Sequence, residues 1–169
     1  MYNTSNINIR NATAADIKTI HALAYETWPI AYGKILSAQQ LKYMLELIYS
    51  ETSVKKQIEE EAHHFLIAEE NNKPIGFADY GILKDDIYKL HKIYVLSNQQ
   101  GKGIGKLLID HVIEKVKEQN AKALLLNVNR NNKAKQVYEH LGFKVISEED
   151  IDIGEGYFMN DYIMEKLID

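Results

Sequence analysis

Gln100-Gly101-Lys102-Gly103-Ile104-Gly105-Lys106 is the stretch on which the reading of this chain turns. It joins an alternating apolar run, residues 88–96, to a helical pattern over 104–118. Glycine at every second position lets the backbone come close to a ligand, because no Cβ holds it off and left-handed torsions are open. The first N–H groups of the following helix have no internal partners, so loop and helix start together form a cradle for a phosphate or diphosphate. Lys102 and Lys106 add positive charge beside it. A lone GxGxG also fits a plain strand-to-helix turn that binds nothing. Two better-known phosphate loops fail on spacing. A dinucleotide fingerprint starting at Gly101 requires glycine where Lys106 stands, and a Walker A loop requires Ser or Thr where Leu107 stands.

The wider composition narrows the class. With 169 residues the chain has the length of one domain, residues 1–169, and enough material for a core. Hydrophobic residues make up 46% and charged residues 26%, ordinary for a globular protein. The absence of cysteine excludes disulfides, thiolate metal sites and a cysteine nucleophile. Adjacent His63 and His64 on a strand point oppositely, so no metal site is expected. A net charge of −4 with no basic stripe speaks against a nucleic-acid partner and fits a cationic small substrate better. Residues 1–6 carry no leader pattern and no apolar run reaches membrane-spanning length, so a cytoplasmic location and no membrane partner are expected.

Recognition rests on two blocks. The first is Ile93-Tyr94-Val95 followed by the Q-x-x-G-x-G run, and it resembles the acyl-CoA-binding motif of the GNAT superfamily of N-acetyltransferases. The second is Asn131, Ala134, Tyr138, Leu141, Gly142 and Phe143, which resembles that family's next motif in order and spacing. The resemblance implies an α/β (α+β) fold. Its central sheet would be mixed and mostly antiparallel, with about seven strands, a splay between two parallel ones and helices on both faces. It implies acetyl-CoA as co-substrate, held by Ile93, Tyr94, Val95, Gln100, Gly101, Lys102, Gly103, Ile104, Gly105, Lys106, Asn131 and Tyr138. A homodimer is also a family expectation.

Along the chain, Ile7 and Ile9 mark a first strand, and Thr13 with Asp16 makes a capping box for a helix that Pro29 should end or bend. Ser37 opens a second helix and Ser53 is expected to cap a third, carrying Val54, Ile58 and Ala62. Residues 65–69 and 74–83 form a hairpin about the turn at 71–73. In 88–96, Tyr88, Leu90, Lys92 and Tyr94 should share one face and Lys89, His91, Ile93 and Val95 the other. Residues 123–128 read as a strand buried on both faces, interrupted by Asn127. Residues 143–146 and 157–167 should close the sheet as an antiparallel pair around a polar loop, 148–156.

Acyl transfer to an amine needs a held thioester, a neutral amine and a proton for the departing thiolate. A backbone N–H near Val95 is the family's means of polarising the carbonyl. Tyr138 is the candidate acid, read by periodicity alone as a core tyrosine and reassigned by the motif around it. An alkylammonium of pKa about 10.4 is neutral in roughly one molecule per thousand at pH 7, so a base or ordered water must take its proton. Many relatives carry an acidic residue where Lys89 stands. Glu26, at the end of the first helix, and His91, beside the splay, are the titratable candidates to take that proton, with a relay through water from Glu26 or Tyr80 as the expected route. Trp28, Tyr32, Tyr80 and His91 are the candidate substrate residues, Trp28 and Tyr32 as an aromatic wall or, equally, as packing. The Trp28 to Tyr32 segment and the Met164 strand resemble the PaiA-like branch, whose members acetylate spermidine and spermine, so a small-molecule primary amine, polyamines included, is the expected acceptor. A non-catalytic acyl-CoA sensor and a peptide or protein N-acetyltransferase remain open.

Overall fold

A computed structural model describes residues 6–169, and the reading of the first five residues lies outside it. Strand β1 (Ile7–Asn11) leads into α1 (Ile17–Tyr32), α2 (Ala38–Tyr49) and α3 (Glu51–Glu59). The antiparallel run β2 (His64–Glu70), β3 (Lys73–Lys84) and β4 (Ile87–Val95) follows. The chain continues through α4 (Ile104–Glu118), β5 (Ala123–Asn129), α5 (Ala134–His140), β6 (Lys144–Gly154) and β7 (Tyr157–Leu167). The sheet runs β1-β2-β3-β4-β5-β7-β6, with β4 and β5 as its parallel pair.

Alternation divides the core into two layers. Leu66, Ala68, Ile75 and Ala78 meet Leu108, Ile109, Val112 and Val116 of α4 on one face. Phe65, Ile67 and Phe77 meet Ile20, Leu23, Ala24, Met44 and Val54 of the first three helices on the other. The expected capping box is present: the Thr13 N–H donates to Asp16 Oδ2 at 2.8 Å. Arg10 donates to both Asp16 oxygens and to Glu69, each at 2.8 Å, binding β1, α1 and β2 together. The Arg10 hydrogen bond is the largest influence in lowering the Asp16 pKa to about 2.

Four sequence expectations need correction. Pro29 does not end α1, which runs on to Tyr32. Only the hydrogen bond to the Tyr25 carbonyl is lost at that position, and the packing of Trp28 and Tyr32 carries the last turn past it. Ser50, not Ser53, caps α3, accepting from the Ser53 N–H at 3.2 Å, while the Ser53 hydroxyl donates to the Leu47 carbonyl. Ala62 lies beyond α3 with a φ of 55°. The charged stretch expected as a loop, 148–156, is mostly strand: β6 reaches Gly154 and pairs with β7 along its length, because an edge strand with one face in water accommodates Glu148, Glu149 and Asp150.

The fourth correction shapes the site. Asp79 pairs with Lys92 and Tyr80 with Leu90, so His91 has no residue opposite it. This β-bulge moves Lys92 and Tyr94 to the α1 face and leaves Ile93 and Val95 with Leu90 on the α4 face, overturning simple alternation across 88–96. Pairing of β4 with β5 also stops at Leu90 opposite Leu126. Beyond that point the two strands separate.

Candidate active site

The separation of β4 from β5 opens a cleft of about 640 Å³, within the range typical of small-molecule sites. One end is walled by Gln99, Gln100, Gly101, Gly103, Gly105 and Lys106, and the other by Asn132, Ala134, Val137 and Tyr138. Ile93, Tyr94 and Val95 of β4 face Asn127 and Val128 of β5 across it.

The glycine loop has the conformation its composition allows. Gly101 and Gly103 both have a φ of 79°, in the left-handed region, and a Cβ built at 101, 103 or 105 meets nothing within 4 Å. The first bond of α4 runs from the Leu107 N–H to the Gly103 carbonyl at 3.0 Å. Among the described residues, the N–H groups from Gly101 to Lys106 donate to no protein acceptor. Bare N–H groups at a helix start, with Lys106 beside them, suit a diphosphate. Lys102 and Ile104 do not line the cleft. Lys102 donates to Gln99 Oε1 at 2.8 Å, bracing the loop, and Ile104 is buried in the core beneath it. Asn131 is also outside the lining, with its N–H bonded to Asn129 Oδ1, while the neighbouring Asn132 faces the cleft.

At the splay, the Leu96 N–H donates to the Ile75 carbonyl on the β3 side at 2.9 Å. Strand alternation therefore turns the Val95 N–H and carbonyl toward the cleft, and Gln100 Nε2 donates to that carbonyl at 3.3 Å. The Val95 N–H is thus directed where a thioester oxygen can accept it.

Tyr138 lines the cleft from α5, with Phe143 edge-on at 6.0 Å. Burial, with a smaller contribution from Tyr32, raises its phenol above the ordinary range, so it stays protonated. Tyr32 closes the far side, its hydroxyl 2.9 Å from that of Tyr94. His91 also lines the cleft. Gly81 leaves room for its ring, since a Cβ there would lie 3.4 Å from Nε2. Desolvation is the main cause that brings the His91 pKa down to about 4, leaving it neutral at physiological pH.

The remaining sequence candidates lie elsewhere. Trp28 is 2% exposed and packs against Tyr32, Tyr49 and Tyr94 in the α1 layer, so it supports the wall and is not part of it. Tyr80 is buried on the α4 side of the sheet, near His64. Glu26 is exposed on α1 and does not line the cleft, so it is not placed to take a proton there.

Two buried carboxylates were not singled out from the sequence. Asp79 Oδ2 accepts from Lys92 Nζ at 2.7 Å and lies 2.5 Å from His63 Nδ1. Lys92 reaches the cleft, and the His63 ring stacks on His91 at 4.2 Å. Asp161 is 1% exposed and accepts from Asn127 Nδ2 at 3.3 Å. The available signal was a polar residue inside an otherwise apolar strand, as at Asn127.

Substitution at the glycines separates strain from obstruction. Gly105→Ala, free of positive φ, should weaken acetyl-CoA binding by placing a methyl in the cleft, and Gly103→Ala should weaken it further by adding left-handed strain of about 1 kcal/mol. Calorimetry with CoA reads both; unchanged affinity in both removes the loop from diphosphate binding.

Comparison with known proteins agrees with this geometry. The family model for an acetyltransferase (GNAT) domain matches residues 34–158. A spermidine N(1)-acetyltransferase of Thermoplasma acidophilum is 28% identical over 165 residues, covering 95% of this chain and 96% of that protein. The crystal structure of the PaiA N-acetyltransferase from Thermoplasma acidophilum in complex with coenzyme A superposes with a TM-score of 0.80 at 27% identity, over 95% of this chain and 98% of that one. A [ribosomal protein bS18]-alanine N-acetyltransferase of Haemophilus influenzae is 37% identical over 89 residues, 53% of this chain. The matched region spans 57% of the length of that relative. Among the described residues, no helix is long and apolar enough to cross a membrane, and no group of metal-binding side chains is found.

Proposed function

Because the chain belongs to the GNAT acetyltransferase family, we propose that it transfers the acetyl group of acetyl-CoA to a primary amine of a small molecule, by direct attack within a ternary complex in the cytoplasm. The observation that carries this is the continuity of one cleft. It runs from the bare N–H groups of the glycine loop, past the Val95 N–H at the splay, to the Tyr138 hydroxyl.

In this reading the loop amides and Lys106 hold the diphosphate, and the Val95 N–H polarises the thioester carbonyl. The amine nitrogen bonds to the carbonyl carbon, the C–S bond breaks, and the Tyr138 hydroxyl gives its proton to the sulfur. The ammonium first loses one proton to water in the open cleft. The second proton, lost from nitrogen as the amide forms, passes through that water to the Tyr138 phenolate and restores the phenol. The neutral His91 imidazole lines the same cleft as a hydrogen-bond acceptor. A phenol giving a proton to a thiolate is uphill by roughly two pKa units even before burial is counted, so the transfer is concerted with expulsion.

Polyamines are our first candidates, supported by similarity along nearly the whole chain to a spermidine acetyltransferase. A peptide α-amine is the second, supported by the partial similarity to the bS18-alanine enzyme. The two are tested together by following thiol release from acetyl-CoA in the presence of spermidine, spermine, benzylamine and alanine amide, with sedimentation reporting whether the active species is a homodimer. Amine-dependent release is expected, strongest with the polyamines. Tight acetyl-CoA binding without acceleration by any amine supports the sensor reading instead.

A further inference from the structure

Asn127 and Asp161 form a buried polar pair within apolar strands, and none of the roles above uses it. On β5, Leu124, Leu126 and Val128 pack into the α4 layer, which turns Asn127 to the opposite face, where it lines the cleft. Asp161 on β7 pairs with Asn129 and so lies diagonally beside Asn127 on that face. An ionised carboxylate only accepts hydrogen bonds, so with Asp161 charged the Asn127 amide turns its nitrogen to it, at 3.3 Å, and its carbonyl oxygen away.

Asp161 is 1% exposed, its Oδ1 has no hydrogen-bond partner among the described residues, and no ion pair joins it to a cation there. The charges facing it are Lys89 on β4, Arg130 after β5 and Glu149 on β6, with Tyr32 nearby on α1. Arg130 is already committed to Glu148 and Asp150. Burial is the leading cause that raises the Asp161 pKa, and a buried carboxylate with one neutral partner and a free oxygen either takes up a proton or gains from something positive brought to it, as an incoming ammonium would be.

We propose that Asn127 and Asp161 are the acceptor-amine anchor of the cleft. The Asn127 carbonyl oxygen takes a hydrogen bond from the incoming amine, and Asp161 holds the amide in that orientation and places negative charge behind it. The inference rests on the acetyl-transfer reading above and adds where the acceptor nitrogen sits. Asn127 is the residue that touches the acceptor and Asp161 is a positioning residue. An acceptor whose nitrogen is cationic before attack is favoured, and an anionic one is rejected.

The test uses the CoA-loaded full chain with spermidine, benzylamine and alanine amide. Asn127→Ala and Asp161→Asn should each weaken amine binding, read by calorimetry and as KM, by about 10- to 100-fold. CoA affinity should change by no more than about twofold, and the double variant should lose little more than either single one. Amine affinity and KM that do not move, or CoA affinity and melting temperature that fall in step with them, overturn the assignment. If amines accelerate thiol release in the parent but the variants match it, this inference alone fails. If amines bind and the variants lose that binding without any turnover in the parent, the acetyl-transfer reading alone fails. If no amine in the set binds the CoA-loaded parent, both fail.

Discussion

Replacing Tyr138 with phenylalanine should lower kcat by about 100-fold or more, since a positioned acid contributes on that scale, while CoA affinity stays nearly unchanged. The hydroxyl makes no hydrogen bond among the described residues, so its removal leaves protein contacts intact, and the ring keeps its edge-on contact with Phe143. What disappears is the proton for the departing sulfur. Burial, the leading cause, and Tyr32 keep the phenol protonated above the ordinary tyrosine range, so an alkaline loss of rate between pH 8 and about 10 should not come from Tyr138. Single-turnover rates and CoA calorimetry on the same variant separate chemistry from binding. Unaltered turnover would remove Tyr138 from the role of acid, and a parallel loss of CoA affinity would make it a packing residue.

Asp79→Asn is expected to be the most destabilising single change at the site. Asp79 is fully buried and Lys92 is 8% exposed, with its Nζ 5.4 Å from the Phe65 ring centroid and 5.9 Å from that of Tyr49. Taking the carboxylate away leaves that ammonium in an apolar wall and removes the negative charge at His63 Nδ1. Breaking a buried pair from one side costs about 3–5 kcal/mol, which for a chain of this size lowers the melting temperature by roughly 10 °C. The loss belongs to the stranded charge, so Asp79→Asn with Lys92→Met should recover at least half of it. Thermal unfolding of both variants decides this: a single variant within about 0.5 kcal/mol of the parent would show that the pair carries little weight.

The glycine loop and the place of Tyr138 in the cleft were legible in the sequence because their signals are local. Alternate glycines before a helical pattern place the N–H cradle at 101–106, and the resemblance of Asn131 to Phe143 to the family's second motif singles out Tyr138 where periodicity alone leaves a core tyrosine. The bulge at His91 was not legible. It is defined by which residue of β3 lies opposite, and the Asp79 to Lys92 pairing that fixes it joins residues distant in sequence. The same holds for Trp28. Its composition suits a substrate wall, but Tyr49 and Tyr94, from a different helix and from β4, surround it and leave Tyr32 to face the cleft. Glu26 does not line the cleft, which α1 meets through Thr27, Ile30, Ala31 and Tyr32 near its C-terminal end. The polar stretch 148–156 reads as a loop, yet β7 pairs with it as far as Gly154 as an edge strand. Asn127 was visible only as an interruption, and its partner Asp161 lies two elements, α5 and β6, further along the sequence.

A crystal structure of the chain with acetyl-CoA measures the central claim most directly. The diphosphate should lie within hydrogen-bond distance of the N–H groups between Gly101 and Lys106, with the thioester carbonyl at the Val95 N–H and the sulfur beside the Tyr138 hydroxyl. A coenzyme seated outside the opening between β4 and β5, or one whose sulfur points away from Tyr138, would contradict it.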